Sequence, residues 1–231
     1  MKFEKTRALD CAVDATRRAG GLMRQNRSRR KIINQESQHD IKLELDVRCQ
    51  KLIERTLLAA FPDSAILGEE GVAGNSASAL RWVVDPIDGT VNFAYGVPHA
   101  CVSIALQRQA EAEFQTILGV VYDPFCDELW TATAGAPARL NGRIIRASRR
   151  SALEESIVAI GFSKTEKSLN ENLPVFNALV RRVRKIRMMG AAALSLAYVA
   201  TGRFDAYIES GVSLWDIAAA GLILECAGGE F

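Results

Sequence analysis

Histidine is nearly absent. His39 and His99 are the only two among the 231 residues, which excludes multi-histidine zinc sites and leaves any Ser/His/Asp triad resting on one of those two. Cysteine is present but unpatterned: Cys11, Cys49, Cys101, Cys126 and Cys226 stand far apart, form no C-x-x-C pair and are odd in number, so they are expected to be reduced, buried thiols rather than a closed disulfide set. There is no excess of charge of one sign, with Lys+Arg 29 against Asp+Glu 27, and a net charge of +2 by itself names no partner. Long apolar runs are missing too. The stretch from Ile217 to Leu224 stops at Glu225, well short of the roughly 20 residues a bilayer requires. The opening MKFEKTRALD holds no continuous apolar segment of the signal-peptide kind, so a cytoplasmic location and no membrane partner are expected.

The residues that remain are those of a globular chain. With 48% hydrophobic and 24% charged residues it is far from the composition of disorder, and a chain of this length buries well over half of its unfolded surface. No repeat, low-complexity stretch or dividing linker interrupts it, so one domain over residues 1–231 is expected. Helical spacing of Leu9, Ala12, Val13, Thr16, Gly20 and Met23 predicts a first amphipathic helix that ends between Asn26 and Lys31. A second is predicted from Asp46 as N-cap, with Cys49, Leu52, Ile53, Thr56, Leu57 and Ala60 on one face and Pro62 closing it. Short β-branched or aromatic runs at Ala65 to Leu67, Trp82 to Val84, Cys101 to Leu106, Ile117 to Val121 and Glu128 to Thr131 read as strands. An extended Ile157 to Ile160 follows, then helices around Asn172 to Val183, Ala191 to Ala200 and Trp215 to Cys226. Helices, then strands, then alternation predicts a layered α/β or α+β sandwich.

With so little histidine, the chemistry falls to carboxylates. In Trp82-Val83-Val84-Asp85-Pro86-Ile87-Asp88-Gly89-Thr90 a hydrophobic strand delivers Asp85, Pro86 imposes a turn and Asp88 follows, so that two carboxylates and the Ile87 carbonyl can converge. Hard oxygen donors at that density suit Mg²⁺, and the backbone amides of Gly89 and Thr90 suit a phosphate. Gly68-Glu69-Glu70 ends a second strand in acids, and Trp215-Asp216 sets an acid in the first turn of an apolar helix. Each has a plainer reading: an Asx-type turn at Asp85, a helix cap at Asp216, solvated surface at Glu69 and Glu70. Basic clusters at Arg27 to Lys31, Arg146 to Arg150 and Arg181 to Arg187 lack interleaved aromatics and read as solvated helix ends and loops, not nucleic-acid contacts. Neither histidine is expected to be a ligand.

Gly68-Glu69-Glu70, Asp85-Pro86-Ile87-Asp88-Gly89-Thr90-Val91-Asn92-Phe93 and Trp215-Asp216-Ile217-Ala218-Ala219-Ala220-Gly221 with Ala227-Gly228-Gly229 resemble the motifs of the inositol monophosphatase family of Mg²⁺-dependent, lithium-sensitive phosphatases, over nearly the whole chain. The resemblance implies an αβαβα layered sandwich, usually dimeric. It further implies that Glu69, Asp85, Asp88, Asp216 and the carbonyl of Ile87 hold two or three Mg²⁺ ions, with a metal-activated water as nucleophile. Asp46 would pair with Thr90 to orient that water alongside Glu69, and Asp88, Gly89, Thr90, Ala192 and Glu209 would contact substrate. The substrate implied is myo-inositol 1-phosphate or a related small polyol or sugar phosphate. Fructose bisphosphate, histidinol phosphate and adenosine bisphosphate phosphatases are the enzymatic alternatives, and a non-catalytic interaction protein on the same fold is the other. Two departures stand out: the family continues past the Gly-Gly where this chain reads Glu230-Phe231, as if the C-terminus were truncated, and Phe162 falls near a position where some relatives carry a small polar residue.

Overall fold

The computed structural model describes residues 5–29, 31–36, 41–111, 113–162 and 166–231. His39 lies outside them. The chain opens with α1 (Lys5–Asn26), a hairpin of β1 (Ile33–Glu36) and β2 (Ile41–Leu43), and α2 (Glu44–Ala60). Then come β3 (Ala65–Gly68), β4 (Gly71–Gly74), β5 (Leu80–Asp88), α3 (Thr90–Ala94), β6 (Cys101–Ala110), β7 (Glu113–Asp123), β8 (Glu128–Thr133), β9 (Arg139–Leu140) and β10 (Arg143–Ile144). The last part holds β11 (Ile157–Ile160), α4 (Glu166–Leu179), β12 (Lys185–Arg187), α5 (Ala192–Ala200), β13 (Ala206–Ile208) and α6 (Leu214–Cys226).

Strands β3 to β10 form one eight-stranded sheet in the order β10-β9-β8-β7-β6-β5-β3-β4, antiparallel except where β3 runs parallel to β5. Its side chains alternate between two cores, as the period of a strand requires. Trp82, Val84, Val102, Ile104, Leu118 and Val120 meet α1 and α2 on one face, while Val83, Cys101, Ala105 and Val121 meet α5 and α6 on the other. Beyond lies the parallel sheet β12-β11-β13 and then α4, tied on through Asn172 Nδ2, which donates to Ser210 Oγ at 2.8 Å. The order αβαβα is the expected one.

Small residues set the layer spacing. Ala8, Ala12, Ala15, Ala19 and Gly20 are the buried face of α1, and a Cβ at Gly20 would stand 2.7 Å from the Tyr122 ring. On the other face α6 rests on β7 where a Cβ at Gly119 would stand 2.5 Å from the Ala219 carbonyl oxygen.

Several local expectations are corrected. Strand β5 does not stop before Pro86 but runs to Asp88 through an irregularity between Asp85 and Asp88, a position where a residue without an N–H is tolerated. The second helix starts at Glu44, with Leu43 as its cap residue and Asp46 inside the first turn. The fourth starts at Glu166 and ends at Leu179 rather than spanning Asn172 to Val183. Its first half is held by polar bonds among Ser168, Asn172 and Ser210 instead of by an apolar stripe. All five cysteines are free, but Cys126 is exposed and Cys11 and Cys226 are only partly buried. Two of the basic clusters are structural as well as solvated. Lys31 Nζ donates to the carbonyls of Asn26 and Arg27 at the end of α1 and sits 4.5 Å from the Phe93 ring centre, and Arg150 pairs with Asp205 at 2.8 Å. Among the described residues no helix is long and apolar enough to cross a membrane.

Candidate active site

A cavity of about 450 Å³ opens where β3, β5 and β11 end and where α3, α5 and α6 begin. Glu69, Asp85, Ile87, Asp88, Gly89, Thr90, Ala192, Glu209 and Asp216 all line it. Of the residues expected from sequence only Asp46 does not. It stands behind Thr90, whose Oγ1 donates to the Ile87 carbonyl at 2.8 Å and reaches Asp46 Oδ1 at 3.4 Å.

Asp46, Asp85, Asp88 and Asp216 are each fixed by backbone amides. Asp46 Oδ2 accepts from the Leu43 amide at 2.6 Å at the start of α2, and Asp216 Oδ2 accepts from the Ser213 amide at 2.7 Å at the start of α6. Asp88 is tied across the sequence to α5: its Oδ1 accepts from the Ala192 amide at 3.0 Å, and its Oδ2 from the Ala193 amide at 2.9 Å and the Cys101 thiol at 3.4 Å. Asp85 Oδ1 accepts from the Ile87 amide at 3.0 Å, the Asx turn that the plainer reading foresaw. Glu209 Oε2 accepts a hydrogen bond from the Tyr207 hydroxyl.

Burial and mutual proximity push these acids above the usual carboxylate range. Asp85, 2% exposed, is raised first by desolvation and then by the charges of Glu69, Asp88 and Asp216. Burial lifts Asp88 and Asp46 to about 7, against the amide hydrogen bonds that favour their charged forms. Asp216 and Glu209 are also raised by burial. No lysine, arginine or histidine is among the described residues that line the cavity.

That donor set fits a hard divalent cation: oxygen only, and anionic in excess among the described residues that line the cavity. Among the described residues no three His, Cys, Asp or Glu side chains are gathered tightly enough to cage an ion by themselves. Mg²⁺ needs no such cage, because it is commonly held by one or two carboxylates and keeps part of its water shell.

The sequence reading missed the supports. Gln50, 2% exposed, accepts from the Glu70 amide at 2.9 Å and donates to the Gly71 carbonyl at 3.1 Å, and a Cβ at Gly68 would strike its amide, so it clamps the turn that carries Glu69. Asn92 Nδ2 donates to the carbonyls of His99 at 2.9 Å and Met189 at 2.8 Å, bracing the segment before α5. Gly89 has φ 89°, and a Cβ there would stand 2.9 Å from the His99 carbonyl, so glycine is required on both counts. Asn92 lies within the quoted motif and offered a signal; Gln50 offered none. Phe162 lines the cavity, backed edge-on by Phe176 at 6.3 Å between ring centres.

Fold and cavity together define a layered α/β protein with a metal-fitted acidic cleft at the strand ends. The model of the inositol monophosphatase family matches residues 4–231, and the chain belongs to that family. The chain is 41% identical over 226 residues to a protein of Xylella fastidiosa named Nus factor SuhB, covering 96% of this chain and 80% of that one. It is 38% identical over 230 residues to inositol monophosphatase 2 of Solanum lycopersicum, covering 96% and 85%. The crystal structure of the extragenic suppressor protein suhB from Bartonella henselae superposes with a TM-score of 0.90 at 34% identity, covering 96% of this chain and 85% of that one.

Proposed function

We propose that the chain is a Mg²⁺-dependent phosphomonoesterase that hydrolyses myo-inositol 1-phosphate or a related small polyol or sugar phosphate. The observation that carries this reading is the cluster of Glu69, Asp85, Asp88 and Asp216 around one cavity, with no basic residue among the described residues that line it. Carboxylates gathered this closely, with Asp85 and Asp88 buried, raise one another's energy unless a cation is bound. Those four acids and the Ile87 carbonyl would hold two or three ions. Bound there, Mg²⁺ supplies charge neutralisation at the phosphoryl group and acidifies water.

The chain's own groups do the positioning. Asp46 and Thr90, in contact at 3.4 Å, orient the attacking water beside Glu69, and the amides of Gly89 and Thr90 receive phosphate oxygens. Asp88 Oδ1 accepts only the Ala192 amide among the bonds it makes and keeps a lone pair for a substrate hydroxyl; Glu209 is the second acceptor. Ala192 contributes space, since its amide is already engaged by Asp88. A substrate without hydroxyls beside its phosphate would leave these acceptors unpaired, at about 1–3 kcal/mol each. Homodimerisation, Li⁺ sensitivity and a cytoplasmic setting belong to the same reading.

The test is phosphate release with Mg²⁺ from inositol 1-phosphate, fructose bisphosphate, histidinol phosphate, adenosine bisphosphate and propyl phosphate. Fastest release from inositol 1-phosphate, abolished by EDTA, is expected. Equal rates on propyl phosphate refute the polyol assignment, and turnover without metal refutes the mechanism.

A second reading, an interaction protein on the same fold, is favoured by one surface: Arg181, Arg182, Arg184, Lys185 and Arg187 run along and beside the exposed edge strand β12. Relatives named Nus factor make it worth separating from the first. Full binding of a partner by a metal-free, inactive variant would support it.

A further inference from the structure

Where Asp85, Asp88 and Asp216 are anchored by backbone amides, Glu209 accepts its bond from a side chain. It follows β13, is only partly buried and stands within the field of Asp216, whose like charge would swing a free side chain away. Two features oppose that. The Tyr207 hydroxyl, two residues earlier on the same face of the strand, donates to Glu209 Oε2. Beneath the carboxylate lies Gly161, directly after β11. Its amide bonds the Ile208 carbonyl at 3.0 Å, continuing the parallel pairing of Ile160 with Ile208 and bringing the Gly161 backbone under Glu209. A Cβ built on Gly161 falls inside the Glu209 carboxylate.

We propose that Tyr207 is a positioning residue and Gly161 a specificity-determining one, which together hold one oxygen of Glu209 away from the cavity and turn the other toward the substrate's hydroxyl groups. The inference rests on Glu209 contacting those hydroxyls. Tyr207 acts only through Glu209: it lines the neighbouring cavity behind Glu209, not the one that holds the acids. Gly161 acts by its missing side chain. An alanine would displace a flexible side-chain end rather than backbone, so the chain still folds while Glu209 moves.

The experiment measures kcat/KM on inositol 1-phosphate and on propyl phosphate with Mg²⁺, in wild type, Tyr207→Phe, Gly161→Ala, Glu209→Gln and the Tyr207→Phe/Glu209→Gln pair, with melting curves alongside. Both Tyr207→Phe and Gly161→Ala are expected to lower the ratio of the two substrates by roughly tenfold, the scale of one hydrogen bond to a charged group, mainly through KM. In the Glu209→Gln background, Tyr207→Phe is expected to change the ratio by less than about twofold. If wild type discriminates between the substrates but both single variants keep its ratio, or lower both rates in parallel, the positioning role is overturned. If wild type discriminates but Glu209→Gln does not alter the ratio, the role of Glu209 falls and the inference with it. Phosphate release from neither ester by wild type overturns the phosphatase reading itself.

Discussion

Gly119→Ala tests the contact that sets the position of Asp216. Gly119 lies mid-strand in β7, opposite Ala105 of β6 and Ala132 of β8, and α6 crosses it so closely that a Cβ would stand 2.5 Å from the carbonyl oxygen of Ala219 and 3.1 Å from its Cα. Both atoms are backbone, so no rotamer change relieves the clash and the whole helix must move. Overpacking of a close-packed interior costs about 1–3 kcal/mol. Alanine recovers about 0.5–1 kcal/mol of backbone entropy over glycine, which leaves a net loss of about 1 kcal/mol at the middle of the two ranges and at most about 2.5 kcal/mol. At about 2–4 °C per kcal/mol for a chain of this size, the melting midpoint falls by about 2–4 °C, and at most by about 10 °C. Gly21→Ala is the control: nothing lies within 4 Å of its Cβ, and it sits inside α1, so it gains about 0.5–1 kcal/mol and melts higher. Differential scanning calorimetry of the two variants in one buffer reads both signs. Because α6 carries Asp216 in its first turn, Gly119→Ala is also expected to slow phosphate release well below its melting range. A Gly119→Ala midpoint equal to or above wild type would show that α6 does not rest on the β7 backbone there.

Three further outcomes are expected. Asp88→Asn turns an N–H group toward the Ala193 amide that now faces an oxygen and removes a charge from the cavity, so phosphate release should drop by about two orders of magnitude or more; near-normal turnover would take Asp88 out of the site. In EDTA the melting midpoint should fall as pH rises from about 4 to 7. Asp46 and Asp88 titrate near 7 when folded against 3.8 ordinarily, so the folded state holds the extra protons and loses their stabilisation across that window, whereas Mg²⁺ at pH 8 should restore it. A midpoint that climbs through the window in EDTA contradicts the burial of these acids. Light scattering should give about twice 25.2 kDa for the homodimer, and LiCl should slow turnover relative to matched NaCl; a monomer mass or equal rates would refute each in turn.

The legible parts of the fold were those written in local pattern. The runs Trp82 to Val84 and Cys101 to Leu106 carry their strand character locally, and Ala12, Thr16, Gly20 and Met23 mark the buried face of α1. Leu9 and Val13 of the expected stripe lie at its margin, where Ala8, Ala15 and Ala19 are buried instead. The short parallel strands β12 and β13 carry no such local mark, because three residues each give no period to read and their pairing is decided by β11 some 30 to 50 positions away. The supports of the site are hidden for the same reason: Gln50 acts on Gly68 to Gly71, Asn92 on Met189, and Tyr207 on a carboxylate over Gly161.

Cap and ligand are alternatives when an acid is read from its own neighbours, but a carboxylate that accepts a helix amide can still offer an oxygen elsewhere. Asp46 accepts an amide at the start of α2, Asp88 those at the start of α5, and Asp216 one at the start of α6. Each of these helix ends carries partial positive charge from its unsatisfied amides. Two of these helix N-termini, those of α5 and α6, meet at the cavity and favour carboxylates there, while that of α2 holds Asp46 behind Thr90. The amide bonds fix Asp88 through both oxygens, but Asp46 and Asp216 through Oδ2 alone. Capping builds the cluster, and the charge that capping does not neutralise is what a divalent cation would answer.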